Sequence, residues 1–213
     1  MLLHADDALL VIDKPAGLLS VPGRGPDKQD CLSARLQARF SDALVVHRLD
    51  MATSGLMVLA RGSVAQKRLN HAFAQRRVRK RYEAVVQGTP ATGLADGDWA
   101  TIELPILLDW PRRPLRIISA EAGKPSTTRW RVAGSAGAGR TRVELEPVTG
   151  RSHQLRVHML AIGHPILGDT LYHDAGSDAA APRLLLHATR LSLDHPMTHV
   201  PMVFSSTTPF DAP

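Results

Sequence analysis

The chain of 213 residues holds a single cysteine, Cys31, so no internal disulfide can form and nothing in it asks for an oxidising compartment. Its longest apolar runs, such as Ala8 to Ile12, are far too short to cross a bilayer as a helix. The N-terminus lacks a basic stretch and carries Asp6, Asp7 and Asp13, so no secretory signal is expected. Aromatic residues are scarce: three Trp, two Tyr and four Phe. That argues against a protein that stacks a long single strand base by base. Acids are missing altogether between Arg61 and Tyr82, where eight basic residues gather: Arg61, Lys67, Arg68, Arg76, Arg77, Arg79, Lys80 and Arg81. The net charge is +6, so everything outside this segment sums to a slight negative. A basic excess confined to one segment is the pattern of a polyanion-binding face, with a solvated basic helix as the plainer alternative.

The pattern of apolar residues reads as strands in blocks with helices inserted, without a regular βαβ rhythm. Ala8–Asp13 reads as a short buried strand, Leu44–Val46 as another, and Leu56–Ala60 as a third. Cys31–Phe40 reads as an amphipathic helix, with Leu32, Leu36 and Phe40 on one face. A second helix starts with Ser63 as its cap and runs to about Arg76. Tyr82–Val86 returns as a strand, and Gly93–Asp98 reads as a loop. Thr127–Val132 and Thr141–Glu146 alternate at period two across a glycine-rich connection, which predicts a hairpin. His153–Ile162 reads as a helix with Leu155, Met159 and Ile162 on its apolar face, and Leu184–Leu193 as a closing strand. The expected fold class is α+β with a mainly antiparallel or mixed sheet, in one domain spanning 1–213.

Several chemistries fail on their residue patterns. Gly134 to Thr141 approaches a phosphate-binding loop, but Arg140 stands where the lysine belongs and a strand pattern, not a helix, follows. His153 and His158 are five apart, about 140° around a helix, which does not suit a zinc pair. No G-x-S-x-G elbow and no G-x-G-x-x-G fingerprint occurs. The expectation is side-chain chemistry with no metal and no nucleotide cofactor.

One segment stands apart: His47-Arg48-Leu49-Asp50-Met51-Ala52-Thr53-Ser54-Gly55-Leu56. It sets a carboxylate at the end of an apolar strand, beside an arginine and before a turn of small residues. Such a carboxylate, held ionised by nearby positive charge, can serve as nucleophile or base. The plainer reading is a turn-capping Asp paired with Arg48. This segment resembles the signature of the RluA family of pseudouridine synthases, whose essential aspartate matches Asp50. Lys80-Arg81-Tyr82-Glu83-Ala84 resembles the family's second motif, and Gly150-Arg151-Ser152-His153-Gln154-Leu155-Arg156-Val157-His158 its third. His164-Pro165-Ile166-Leu167-Gly168-Asp169 and Leu184-Leu185-Leu186-His187-Ala188 follow in the family's order. Ser20–Arg24 and Asp109–Pro114 resemble one short member, and no N-terminal S4-type RNA-binding domain, as many relatives carry, is expected.

The resemblance implies a pseudouridine synthase fold and an isomerase that detaches uracil from ribose, turns it and reattaches it through C5, without redox cofactor, metal or ATP. It implies Asp50 as the essential carboxylate, acting as nucleophile or as base on a ribose proton. Tyr82 would pack against the extruded base, and Arg151 would pair with Asp50. Arg48 would enter the RNA behind the flipped nucleotide. Lys67, Arg68, Arg76, Arg77, Arg79 and Lys80 would then grip the backbone of a stem-loop in tRNA, 23S rRNA or both. His47 is expected to be structural. The expected state is a cytoplasmic monomer with no membrane partner. The alternative is a catalytically silent RNA-binding protein of the same fold, against which the retention of Asp50, Tyr82 and Arg151 argues.

Overall fold

The computed structural model describes residues 1–90, 97–173 and 181–210 and divides into two compact units, Met1–Lys80 with His187–Pro213, and Arg81–Leu186. Most of the loop expected over Gly93–Asp98 falls outside the described residues.

In the first unit, β1 (Leu2–Ala5) pairs antiparallel with β2 (Leu9–Lys14), and β2 pairs antiparallel with β4 (Ser54–Arg61). β4 also carries β3 (Ala43–Val45) antiparallel. Parallel to β4 lies β11 (Leu186–Asp194), which pairs antiparallel with β12 (Pro201–Ser205). Leu9 to Ile12 and Leu56 to Ala60 are buried on both faces, which is why they read as continuous apolar runs. Each large side chain among them contributes about 1.5–3 kcal/mol through removal from water. Gly55 stands opposite Ala188 in the parallel pair, where a Cβ would lie 2.5 Å from the Ala188 backbone nitrogen and oxygen. Only glycine permits that approach.

Helix α1 (Leu32–Gln37) is shorter than the apolar pattern suggests: Cys31 is its cap, the thiol accepting from the Ala34 N–H at 3.4 Å. Helix α2 (Gly62–Ala74) packs on β3 and β4 through the buried Ala65 and Leu69. Its cap is not Ser63. The cap is Arg61 and the helix starts two residues earlier, at Gly62, which at φ 73° turns the chain directly out of β4.

The second unit contains an antiparallel sheet in the order β5 (Arg79–Gln87), β10 (Arg140–Pro147), β9 (Thr127–Ser135) and β6 (Ala100–Glu103). β9 and β10 form the expected hairpin, and a strand follows Gly139, so the glycine-rich loop has no helix N-terminus behind it. β7 (Ile106–Leu108) and β8 (Arg116–Ile118) make a separate hairpin. Helix α3 (Gln154–Ala161) packs on β8, β9 and β10.

The single apolar face expected for α3 is not what the structure shows, since Gln154 to Met159 are all buried. Each polar member has partners that permit it. Gln154 donates to Thr127 O and Thr128 Oγ1, at 2.9 and 3.0 Å. Arg156 makes a two-pronged ion pair with buried Asp169 at 2.6 and 2.7 Å. His158 bonds Thr128 Oγ1 and Leu104 O, both at 2.9 Å, and burial lowers its pKa. The third and fourth sequence motifs thus interlock through Arg156 and Asp169, and Gly168, at φ 71°, passes so close to Arg183 O that a Cβ would overlap it. Strands of mixed direction with, among the described residues, three α-helices make the fold α+β, as the patterning predicts.

Candidate active site

Asp50 lies in the first unit, in the turn between β3 and β4, and is half-buried. The backbone on both sides of it is fastened. Before it, Ser20 Oγ donates to Leu49 O at 2.7 Å and accepts from Leu49 N–H at 3.2 Å. After it, Met51 O accepts from Gly17 N–H at 2.9 Å and from Lys14 Nζ at 3.2 Å. Asp50 O itself accepts from Thr53 N–H at 3.1 Å, closing the turn. Lys14 is completely buried and also donates to Pro15 O and Leu18 O, at 2.9 and 2.8 Å. An ammonium satisfied by three carbonyls thus joins the Lys14–Leu18 loop to the Asp50 turn. Patterning alone gave no sign of this lysine, which sits at the end of an apolar run.

A second buried chain reaches the start of β4. Ser54 Oγ bonds His187 Nδ1 at 2.8 Å, His187 Nε2 bonds Ser206 Oγ at 2.9 Å, and Ser206 Oγ donates to Asp13 Oδ2 at 2.5 Å. Four residues after Asp50 the backbone is therefore fixed to β11 and to the end of β2.

His47 has the structural part expected of it: its Nε2 accepts from Val58 N–H at 3.0 Å and its ring tilts against Phe73 at 4.8 Å. Burial, and after it the charge of Lys80, pushes its pKa down to about 3, so the ring is the neutral acceptor this bond requires. Arg48, next along the chain, is exposed.

Tyr82 and Arg151 belong to the second unit. Tyr82 is buried in β5 opposite Leu145 of β10. Arg151 is exposed in the turn between β10 and α3, its guanidinium donating to Pro125 O at 3.4 Å. Gln154 holds that turn, its Oε1 accepting from Arg151 N–H at 3.0 Å and from Thr149 Oγ1 at 2.7 Å. His153 takes a left-handed conformation at φ 58° and bonds Tyr172 through Nδ1 at 2.7 Å.

The basic segment divides into two groups. Lys67, Arg76, Arg77 and Arg79 are exposed. Arg68 is exposed too but donates to Pro196 O at 2.9 Å. Lys80 departs from the expectation of a solvent-facing cation: its amine lies 5.8 Å from the Phe73 ring centre, and burial lowers its pKa. Arg61 pairs with Asp42 at 3.2 Å, and Arg81 with Glu146 at 3.9 Å beside Trp99. Arg81 thereby joins a self-satisfied ladder on the sheet, in which Arg142 pairs with Glu83 and Arg131 with Glu144. Among the described residues no group of three or more His, Cys, Asp or Glu side chains is placed to hold a metal ion. None of the described helices is long and apolar enough to cross a membrane.

Comparison with known proteins gives the family. The family model for RNA pseudouridylate synthase matches residues 8–161. The chain is 46% identical over 212 residues to the dual-specificity RNA pseudouridine synthase RluA of Escherichia coli (strain K12), covering 99% of this chain and 94% of the relative. It is likewise 46% identical over 210 residues to RluA of Yersinia pestis, covering 99% of this chain and all of the relative. Among solved structures, the human RNA pseudouridylate synthase domain containing 1 superposes with a TM-score of 0.78 at 30% identity, over 98% of this chain and 83% of that one. The chain belongs to the RNA pseudouridylate synthase family and is an RNA pseudouridine synthase.

Proposed function

We propose that this synthase isomerises uridine in stem-loops of both tRNA and 23S rRNA, with Asp50 as the essential carboxylate. The observation that carries the reading is likeness over nearly the whole chain to relatives named for dual specificity. The order of the motifs around Asp50, Tyr82 and Arg151 supports the assignment of roles. Asp50 attacks or deprotonates the sugar of the target nucleotide, and the double tether of its turn supplies the fixed position such a step needs. Tyr82 packs against the extruded uracil, and Arg151 supplies positive charge to the reaction. Arg48, exposed two residues before Asp50, fills the gap that the flipped base leaves in the stack. Lys67, Arg76, Arg77 and Arg79 meet the phosphate backbone, with Arg68 beside them. The reaction moves one C–N bond to a C–C bond within a nucleotide, so it consumes no cofactor, and a cytoplasmic monomer is sufficient for it.

The test is tritium release from C5-tritiated uridine in tRNA and 23S rRNA transcripts, with the purified protein alone. Forming the new bond at C5 expels the label, so release from both RNAs is expected. Release from one only would reduce the specificity to that RNA, and release from neither would overturn the proposal.

A further inference from the structure

The tip of the β7–β8 hairpin carries features that the proposed roles above leave unused. Trp110 is 63% exposed, and among the described residues it is the one large aromatic left open to water. The other two tryptophans contrast with it: Trp130 is buried, and Trp99 is half-buried against the guanidinium groups of Arg81, Arg129 and Arg131. An indole in water is unfavourable by itself, so its surroundings decide what it serves. Arg113 places its guanidinium 4.2 Å from the Trp110 ring centre. Arg112 is aimed by buried Asp109, with contacts of 2.6 Å from both Nε and Nη2. Arg116 is held by Pro114 O and Leu115 O at 3.0 and 3.2 Å. Within Asp109–Arg116 there are three cations and one carboxylate, and Arg112 already binds that carboxylate.

The tip stands on a rigid foot. Leu115 and Ile118 pack against Ile106, Val157 and Tyr172, and Arg116 N–H donates to Tyr172 Oη at 2.8 Å. Asp109 N–H donates to Leu115 O and Leu115 N–H to Arg112 O, both at 3.0 Å, closing the loop on itself. Tyr172 in turn bonds His153, two residues after Arg151. The indole is therefore presented by a braced element fastened to the turn that carries Arg151.

We propose that this tip is a stacking platform for one unpaired base of the RNA substrate, with Trp110 as the face and Arg112 and Arg113 drawing in the adjoining phosphates. A base has a π-face whatever its identity, and a preformed aromatic loses little freedom on binding it. The positive balance of the tip selects a polyanion over an apolar protein surface. This deepens the RNA-modifying reading and rests on it, but it concerns a contact separate from the exposed cations of α2 and the start of β5.

The experiment compares wild type, Trp110→Ala, Trp110→Phe and Arg113→Ala in tritium release from the stem-loop that wild type modifies best. Tm is measured for each. Trp110→Ala is expected to raise KM between about five- and 150-fold, with kcat within about twofold, because stacking is lost equally from ground and transition states. Trp110→Phe is expected to stay within a few-fold of wild type, and Arg113→Ala to raise KM by less than Trp110→Ala. RNA should quench the fluorescence of wild type more than that of Trp110→Phe. Unchanged KM in Trp110→Ala overturns the proposal and leaves the tip to a protein partner. Loss of kcat at constant KM also overturns it, as does Trp110→Phe behaving like Trp110→Ala. Wild-type inactivity is a separate outcome: it removes the RNA-modifying reading itself and with it the ground for this one.

Discussion

The buried ammonium of Lys14 donates to the carbonyl of Met51 at 3.2 Å, one residue beyond Asp50. With its two other carbonyl partners, Lys14 makes the Asp50 turn part of the core beneath it. Lys14→Met keeps the volume and removes every donor, leaving buried acceptors without their bonds. The expected cost is about 1–3 kcal/mol in urea unfolding. The folded fraction should also lose kcat more than RNA affinity, since the turn is loosened without touching the exposed cations. Unaltered stability and kcat would contradict the tether.

Gly55 tests the same turn from its other end. Gly55→Ala brings a Cβ to 2.5 Å from the backbone of Ala188, at a φ of 110° that side chains rarely adopt. Steric overlap and backbone strain together should destabilise the fold by about 3 kcal/mol or more. Thermal unfolding of the variant reads this directly, and a Tm within a degree or two of wild type would refute the close approach of β4 and β11.

His47 gives a pH signature. Its pKa is about 3 in the folded protein against 6.5 for a free imidazole, so the unfolded chain takes up a proton that the folded one refuses. Stability is therefore lost as pH falls from about 6.5 towards 3, by at most about 1.4 kcal/mol per pH unit from this residue. His47→Gln keeps an acceptor for the Val58 N–H and removes the titration. Urea midpoints measured between pH 4 and 7 should fall less steeply in this variant than in wild type, and equal slopes would show that His47 does not titrate as described.

Under the proposed function, exposure separates the cations available to RNA from those engaged within the protein. Replacing Arg76 and Arg77 together by alanine should reduce the slope of log affinity against log salt by about 1–2, roughly one phosphate contact each. Lys80→Met should leave that slope unchanged, because the amine lies against Phe73 rather than in solvent. A salt slope indifferent to Arg76 and Arg77 would move the phosphate contacts elsewhere.

What the sequence made legible follows from how each element is stabilised. β2 and β4 are buried on both faces, so their apolar runs announce them, and the β9–β10 hairpin shows itself by alternation across glycines. β1 and β12 alternate between half-buried and exposed residues, and β6, β7 and β8 have only three or four residues each; these are defined by their partners and leave little local pattern. α3 misled for a related reason, as Arg156 and His158 are polar in sequence yet buried by partners distant along the chain. The segment around Asp50 stood out because its motif is local and unusual. The bonds by which Lys14, Ser20 and His187 hold that motif in place did not, since they reach 37, 29 and 133 residues along the chain.

Under the proposed function, Asp50 carries the chemistry while other residues carry the RNA. Asp50→Asn keeps the size and removes the carboxylate. Tritium release and equilibrium RNA binding, measured on wild type and on this variant with the same transcript, address it most directly. Release should vanish from the variant while its affinity for RNA stays within a few-fold of wild type. Substantial release from Asp50→Asn would contradict the assignment and leave the reaction to another residue.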